Sequence, residues 1–162
     1  MIKYIGIILI SGALSMYGAF AAARIRTRAA QRKGLIGLLH SIKSGIEFGG
    51  APLEEIYGVF ECSALETSGF CEILRRGSPD SFENAMQCPG LRLGEKEYAL
   101  FCEYAAKCGK SSSIQNEKQL CERYISLAQN LDDGLCREEN SKCALYTRLG
   151  VLAGLTAALI LL

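Results

Sequence analysis

Apolar and polar positions divide this chain into three stretches. From Ile5 to Ala23 there are 19 residues without a charge, and from Leu149 to Leu162 there are 14 more. Between them the apolar residues recur at three- and four-residue steps, which is the spacing of one helical face. Leu35, Leu38, Leu39, Ile42 and Ile46 share such a face, and Gly49-Gly50 ends it. Pro52 suits the first turn of a following helix that carries Leu53, Ile56, Tyr57 and Phe60. A short helix over Phe70 to Arg76 stops at Gly77, and Ser78-Pro79 starts another holding Phe82, Ala85 and Met86. Pro89-Gly90 reads as a turn. Glu95 to Lys107 is amphipathic through Tyr98, Phe101, Cys102 and Ala105, with Gly109 as its cap. Ser112 with Gln115 forms a capping-box pattern. The last helix follows, through Leu120, Tyr124, Leu127, Leu131 and Leu135. It has no Pro to stop it before Leu162, though Gly134 and Gly150 are places for a bend. No strand-like alternation competes, so the expected fold is all-α: a bundle of about six helices over residues 24–145, between two apolar segments.

Length decides how the two ends are read. Residues 4–23 rise about 30 Å as a helix, enough to cross the hydrocarbon core of a bilayer. A signal peptide cleaved after Ala23 is the rival reading, because MIK is a short basic start and Ala21-Ala22-Ala23 resembles a cleavage site; the mature chain would then be a secreted helical protein stapled by disulfides. The second segment, residues 146–162, has an uncharged run that rises only about 21 Å. Tyr146 suits an interface, and local thinning of the bilayer accommodates the rest. A buried core helix is the other option, but Val151 to Leu162 is apolar on every face and a small domain buries one stripe.

Charge then assigns sides. The net charge is +1, yet residues 1–46 hold seven bases and no acid, and residues 47–162 hold all 17 acids against 11 bases. Five of the bases, Arg24, Arg26, Arg28, Arg32 and Lys33, follow the first apolar segment within ten residues. Bases flanking an apolar segment stay on the cytoplasmic side, so the bundle is expected in the cytosol with both ends outside. The same cluster is a candidate contact with lipid headgroups, or a docking site for an acidic partner. No basic face interleaved with stacking aromatics supports nucleic-acid binding.

The residues available for chemistry are few. The eight cysteines (Cys62, Cys71, Cys88, Cys102, Cys108, Cys121, Cys136 and Cys143) include no C-x-x-C pair and fall among apolar residues. Buried free thiols in a reducing compartment are the simplest account, with no metal site expected. His40 is the only histidine and lies on a helix flank without an evident orienting partner. Glu54-Glu55, Asp132-Asp133 and Glu138-Glu139 are neighbours in a helix, about 100° apart, and read as solvated faces. No phosphate-binding loop occurs. Neither a catalytic residue nor a cofactor is expected. An enzyme of membrane lipid metabolism would need a polar site built around His40.

The arrangement as a whole resembles the stage III sporulation protein AB family. Three stretches carry the likeness: Ile46-Glu47-Phe48-Gly49-Gly50-Ala51-Pro52-Leu53, Cys108-Gly109-Lys110-Ser111, and Tyr146 through Leu155. Ser112 stands where the family pattern has Asp. The resemblance implies a non-enzymatic component of the channel, or feeding tube, between mother cell and forespore in endospore formation. Its helical domain would be similar to the cytoplasmic domains of the inner-membrane platform protein of type II secretion systems. The implied partners are the sporulation ATPase (stage III sporulation protein AA), other channel membrane proteins and membrane lipids. The implied location is the mother-cell membrane around the forespore, with two spans and a cytosolic domain.

Overall fold

The computed structural model describes the backbone of residues 2–77, 80–110 and 113–161, and the side chains of all of these except residues 2–11, 14, 49, 157, 158, 160 and 161. Among the described residues the regular structure is all helical, with no strand. In order they form α1 (Ile2–Ser44), a π-helical turn (Gly45–Gly49), α2 (Leu53–Val59), α3 (Ser63–Glu66), α4 (Phe70–Leu74), α5 (Ser81–Met86), α6 (Glu95–Lys107) and α7 (Ile114–Leu161). The chain divides into two compact units, residues 28–134 and residues 1–27 with 135–162.

The first unit is the expected helical bundle. Leu35, Leu38, Leu39 and Ile42 of α1 are fully buried, as their spacing predicts. Each such side chain contributes about 1.5–3 kcal/mol of hydrophobic stabilisation. Phe70, Leu74, Phe82 and Met86 from α4 and α5 complete the centre with Phe101, Tyr104 and Tyr124. An aromatic chain runs through it: Phe82 meets Phe70 at 5.9 Å and Tyr104 at 5.6 Å, and Tyr104 meets Tyr124 at 5.4 Å between ring centres.

Glycines stop the helices where the sequence places them. Gly50, Gly77 and Gly109 all have positive φ, which only glycine adopts without strain. Pro52 sits just before α2 in extended conformation. The π-turn answers a local packing demand. A Cβ on Gly45 would lie 2.4 Å from the Ile56 side chain, so α1 opens into a wide turn where α2 folds back on it.

Three details differ from the pattern read in the sequence. Between α2 and α4 an additional short helix, α3, forms where no periodicity marks it. The inward stripe of α6 is Glu97, Phe101, Tyr104 and Ala105, while Tyr98 is exposed. The helix is rotated from the purely apolar choice because it carries a carboxylate inward to meet two arginines. On α7 the buried set is Cys121, Tyr124, Ile125 and Ala128, and Leu127 is exposed. The expected helix start at Ser78-Pro79 and the expected cap at Ser112 lie outside the described residues.

The second unit pairs the N-terminal part of α1 with the C-terminal part of α7. Gly18 lies against Gly150 and the Tyr146 carbonyl, and the Cys143 thiol donates to the Ala22 carbonyl oxygen at 3.5 Å. The two segments therefore run antiparallel. Ala22, Cys143, Gly150 and Gly154 are buried between them.

Candidate functional site

The basic cluster that follows the first apolar segment is divided by the fold. Arg24, Arg26 and Lys33 are exposed. Arg28 and Arg32 turn into the bundle, one helical turn apart. The Arg32 side chain is 1% exposed, and its guanidinium donates to Glu97 at 2.5 Å and to Asp132 at 2.6 Å. Arg28 donates to the other Glu97 oxygen at 2.6 Å from Nη2 and 2.8 Å from Nε. The same oxygen accepts the Gly94 backbone N–H at the start of α6. Glu97 is completely buried. Burial would push its carboxyl above the ordinary range. The hydrogen bonds from Arg32, Gly94 and Arg28 outweigh that and hold it below.

Gln31 extends the network. Its amide donates to the Gly90 carbonyl at 3.1 Å and accepts the Arg92 N–H at 2.7 Å. Every buried polar head in this layer thus has a partner, which is the condition for such a layer to hold the fold rather than weaken it. The arginines pin α1 to α6 and α7. Gly94 makes room, since a Cβ there would fall 1.8 Å from an Arg28 nitrogen.

Glu97 carries no mark in the apolar pattern, and Asp132, expected on a solvated face, is instead largely covered and paired with Arg32. The available signal for Glu97 was an acid on the line of Phe101, Tyr104 and Ala105 at four-, seven- and eight-residue steps. The pattern also missed Glu117, which accepts the Gly109 N–H at 2.9 Å and ties the end of α6 to α7.

The cysteines are free thiols, and five of them are buried. Cys108 and Cys121 share one phenol: Tyr104 Oη lies 3.3 Å from the first thiol and 3.0 Å from the second. Burial pushes the Cys108 thiol up to about 12, so at neutral pH it is a packed, protonated group and a poor nucleophile. His40 is exposed beside the Gln129 amide at 3.2 Å. Among the described residues no three His, Cys, Asp or Glu side chains gather as metal ligands do.

Two surfaces stand out against this protein-stabilising interior. One is on the helix pair. Met16, Tyr17, Phe20, Leu149, Leu152 and Leu155 are all more than half exposed, so the pair buries its small residues and shows its large apolar ones. Among the described residues, no helix is long and apolar enough to cross a membrane. Of the two apolar segments, residues 4–11, 14, 157, 158 and 160–162 lie outside the described side chains. The other surface is an apolar groove on the bundle between α1 and α2.

The family model of stage III sporulation protein AB matches residues 3–162. The chain belongs to that family. The match covers both apolar segments as well as the bundle, and it places the protein in sporulation. No curated protein and no solved structure matches the chain.

Proposed function

We propose that the chain is a non-enzymatic platform subunit of the channel between mother cell and forespore, held in the mother-cell membrane by its two apolar ends. Its bundle would stand on the cytosolic side as a docking surface for the sporulation ATPase, stage III sporulation protein AA, among other channel membrane proteins. In this role it would resemble the cytoplasmic domain of the type II secretion platform protein.

The observation that carries the reading is the inverted packing of the helix pair. A water-facing pair buries large apolar side chains and exposes polar ones. Here Gly18, Ala22, Gly150 and Gly154 face inward, and leucines, Phe20 and Tyr17 face outward. Lipid favours that order, because small residues let two backbones approach where no hydrophobic force drives them together. Arg24 and Arg26 at the end of the apolar stretch fit an anionic headgroup layer. The buried, hydrogen-bonded thiols fit a reducing compartment and give the secreted, disulfide-stapled alternative no support.

The test has two arms. Thiol labelling of intact sporulating cells before engulfment, while the mother-cell membrane still faces the medium, should leave Cys62, Cys102 and Cys136 unlabelled by an impermeant reagent until the membrane is opened. Affinity purification of the full chain from those membranes should bring down the ATPase. Labelling of all three in intact cells, or a chain that starts after Ala23 by mass, would sink the topology. Absence of the ATPase from a purification that retains other channel proteins would sink the docking role.

A further inference from the structure

The groove on the bundle has a shape and a charge that specify what fits it. It holds about 280 Å³ and is lined by Ser41, Ala51, Glu55, Ile56, Val59 and Phe60. Its α1 wall is low: a Cβ on Gly37 would meet nothing within 4 Å, and Ser41 follows one turn later. The Ser41 hydroxyl donates to the Gly37 carbonyl at 3.1 Å, so it asks for no partner in the groove. The α2 wall is apolar. Val59 is 78% exposed, and Phe48, three residues before Ala51, is 86% exposed on the π-turn. The π-turn that ends α1 leaves this large aromatic residue in water.

Charge narrows the occupant. From Ser44 to Leu74 the chain has six acids and no Lys, Arg or His. Glu47, Glu66 and Glu72 are neutralised by Lys118, Arg75 and Arg76. Glu54, Glu55 and Glu61 are exposed. Glu55 lines the groove itself and Glu61 directly follows Phe60, whereas Glu54 lines a separate pocket with Leu53 and Tyr57. Among the described residues no ion pair compensates Glu55 or Glu61. An anionic lipid surface or a nucleic acid would be repelled by this rim. A helix with apolar side chains on one face and bases at its margin would meet both features.

We propose that the groove between α1 and α2 docks an amphipathic helix of a partner protein, one that carries Lys or Arg beside its apolar face. The proposal deepens the platform reading and rests on it only for the partner's compartment. The apolar face would cover Val59 and Phe60, and the bases would pair with Glu55 in the groove and Glu61 next to Phe60. Acid rims of this kind act mainly on the rate of encounter, so binding should weaken as salt rises.

The test uses the full chain in membranes of sporulating cells, with a photo-reactive phenylalanine at Val59 and a control at exposed Leu127. Cross-linked peptides are sequenced by mass spectrometry. The expected adduct at Val59 is a basic amphipathic segment of another protein, absent at Leu127. Its yield should fall by about fivefold or more in the Glu55→Lys/Glu61→Lys variant. Phe48→Ser serves as a second variant that leaves the charge untouched, and circular dichroism checks that both fold. Adducts to lipid, to another copy of this chain or to an acidic segment would overturn the proposal, as would no adduct while the ATPase still co-purifies. A basic-helix adduct on some other protein, with no ATPase recovered, would uphold the groove and sink the ATPase partnership.

Discussion

Replacing Arg32 with Met keeps most of the side chain's length and apolar stem and removes only its guanidinium. Arg32 is 1% exposed and donates charge-assisted hydrogen bonds to Glu97 and to Asp132. Deleting one member of a buried ion pair costs roughly 3–5 kcal/mol, because the remaining charge is left in a poor solvent. Two facts move the expectation to the low end. Glu97 keeps Arg28 and the Gly94 N–H, and Asp132, 16% exposed, regains some water. A loss of about 3 kcal/mol follows. Urea titration of the full chain in detergent, followed by far-ultraviolet circular dichroism and by pulse proteolysis, measures it. The double variant Arg32→Met/Glu97→Gln should lose clearly less than the two single losses combined, since each single change strands the other's partner. A loss below about 1 kcal/mol, with additive singles, would show that the layer behaves like a surface ion pair and refute the argument.

Other consequences are open to direct measurement. Glu97 is held below its ordinary value of 4.5 when folded. Its contribution to stability is therefore present above that pH and lost as pH falls further, so Glu97→Gln should flatten the acid limb of the stability curve. Cys108 has the opposite sign. Its thiol is raised from 9.0 to about 12 in the folded chain, so stability should decline as pH rises from about 9 toward 12, less steeply in Cys108→Ala. Gly18→Leu should separate the helix pair, because even a Cβ there falls 2.6 Å from the Tyr146 carbonyl oxygen. Limited proteolysis in membranes should then cut between Thr27 and Leu135 as before but release the two apolar segments from one another. Gly45→Ala should cost about 1–3 kcal/mol by overpacking against Ile56, and Ile56→Val should recover part of it in a thermal melt.

Helix existence was legible because the apolar period is strong and the glycines punctuate it. Residues 95–107 were read to the residue, since Gly94 and Gly109 bracket an unbroken stretch of helix formers. Helix rotation was less legible. Tyr98 and Leu127 looked inward by hydrophobicity alone, but the α6 stripe is set by Glu97, whose burial depends on Arg28 and Arg32 some 65 residues away in sequence. Spacing within one helix holds no record of such a partner. The α3 helix was missed for another reason: four residues, Ser63 to Glu66, are too few to show a period. The basic cluster was legible as a concentration of charge, but its division into exposed and buried members was not. The groove between α1 and α2 was out of reach as well, because Ser41 and Val59 meet only through the π-turn.

The double life of Arg28 and Arg32 bears on the order of events during synthesis. A membrane segment takes its orientation while the chain is being inserted, before Glu97 and Asp132 have been made and folded against it. On the platform reading, all five bases would at that moment weigh on the cytosolic side. Once α6 and α7 arrive, Arg32 is buried and Arg28 partly so, and both become the fastening of the bundle. On the platform reading, the same two residues first serve as an address and later as a lock. A variant that swaps them for neutral residues would then misplace some chains and loosen those that insert correctly. The two defects would separate in time, one at insertion and one after release from the ribosome.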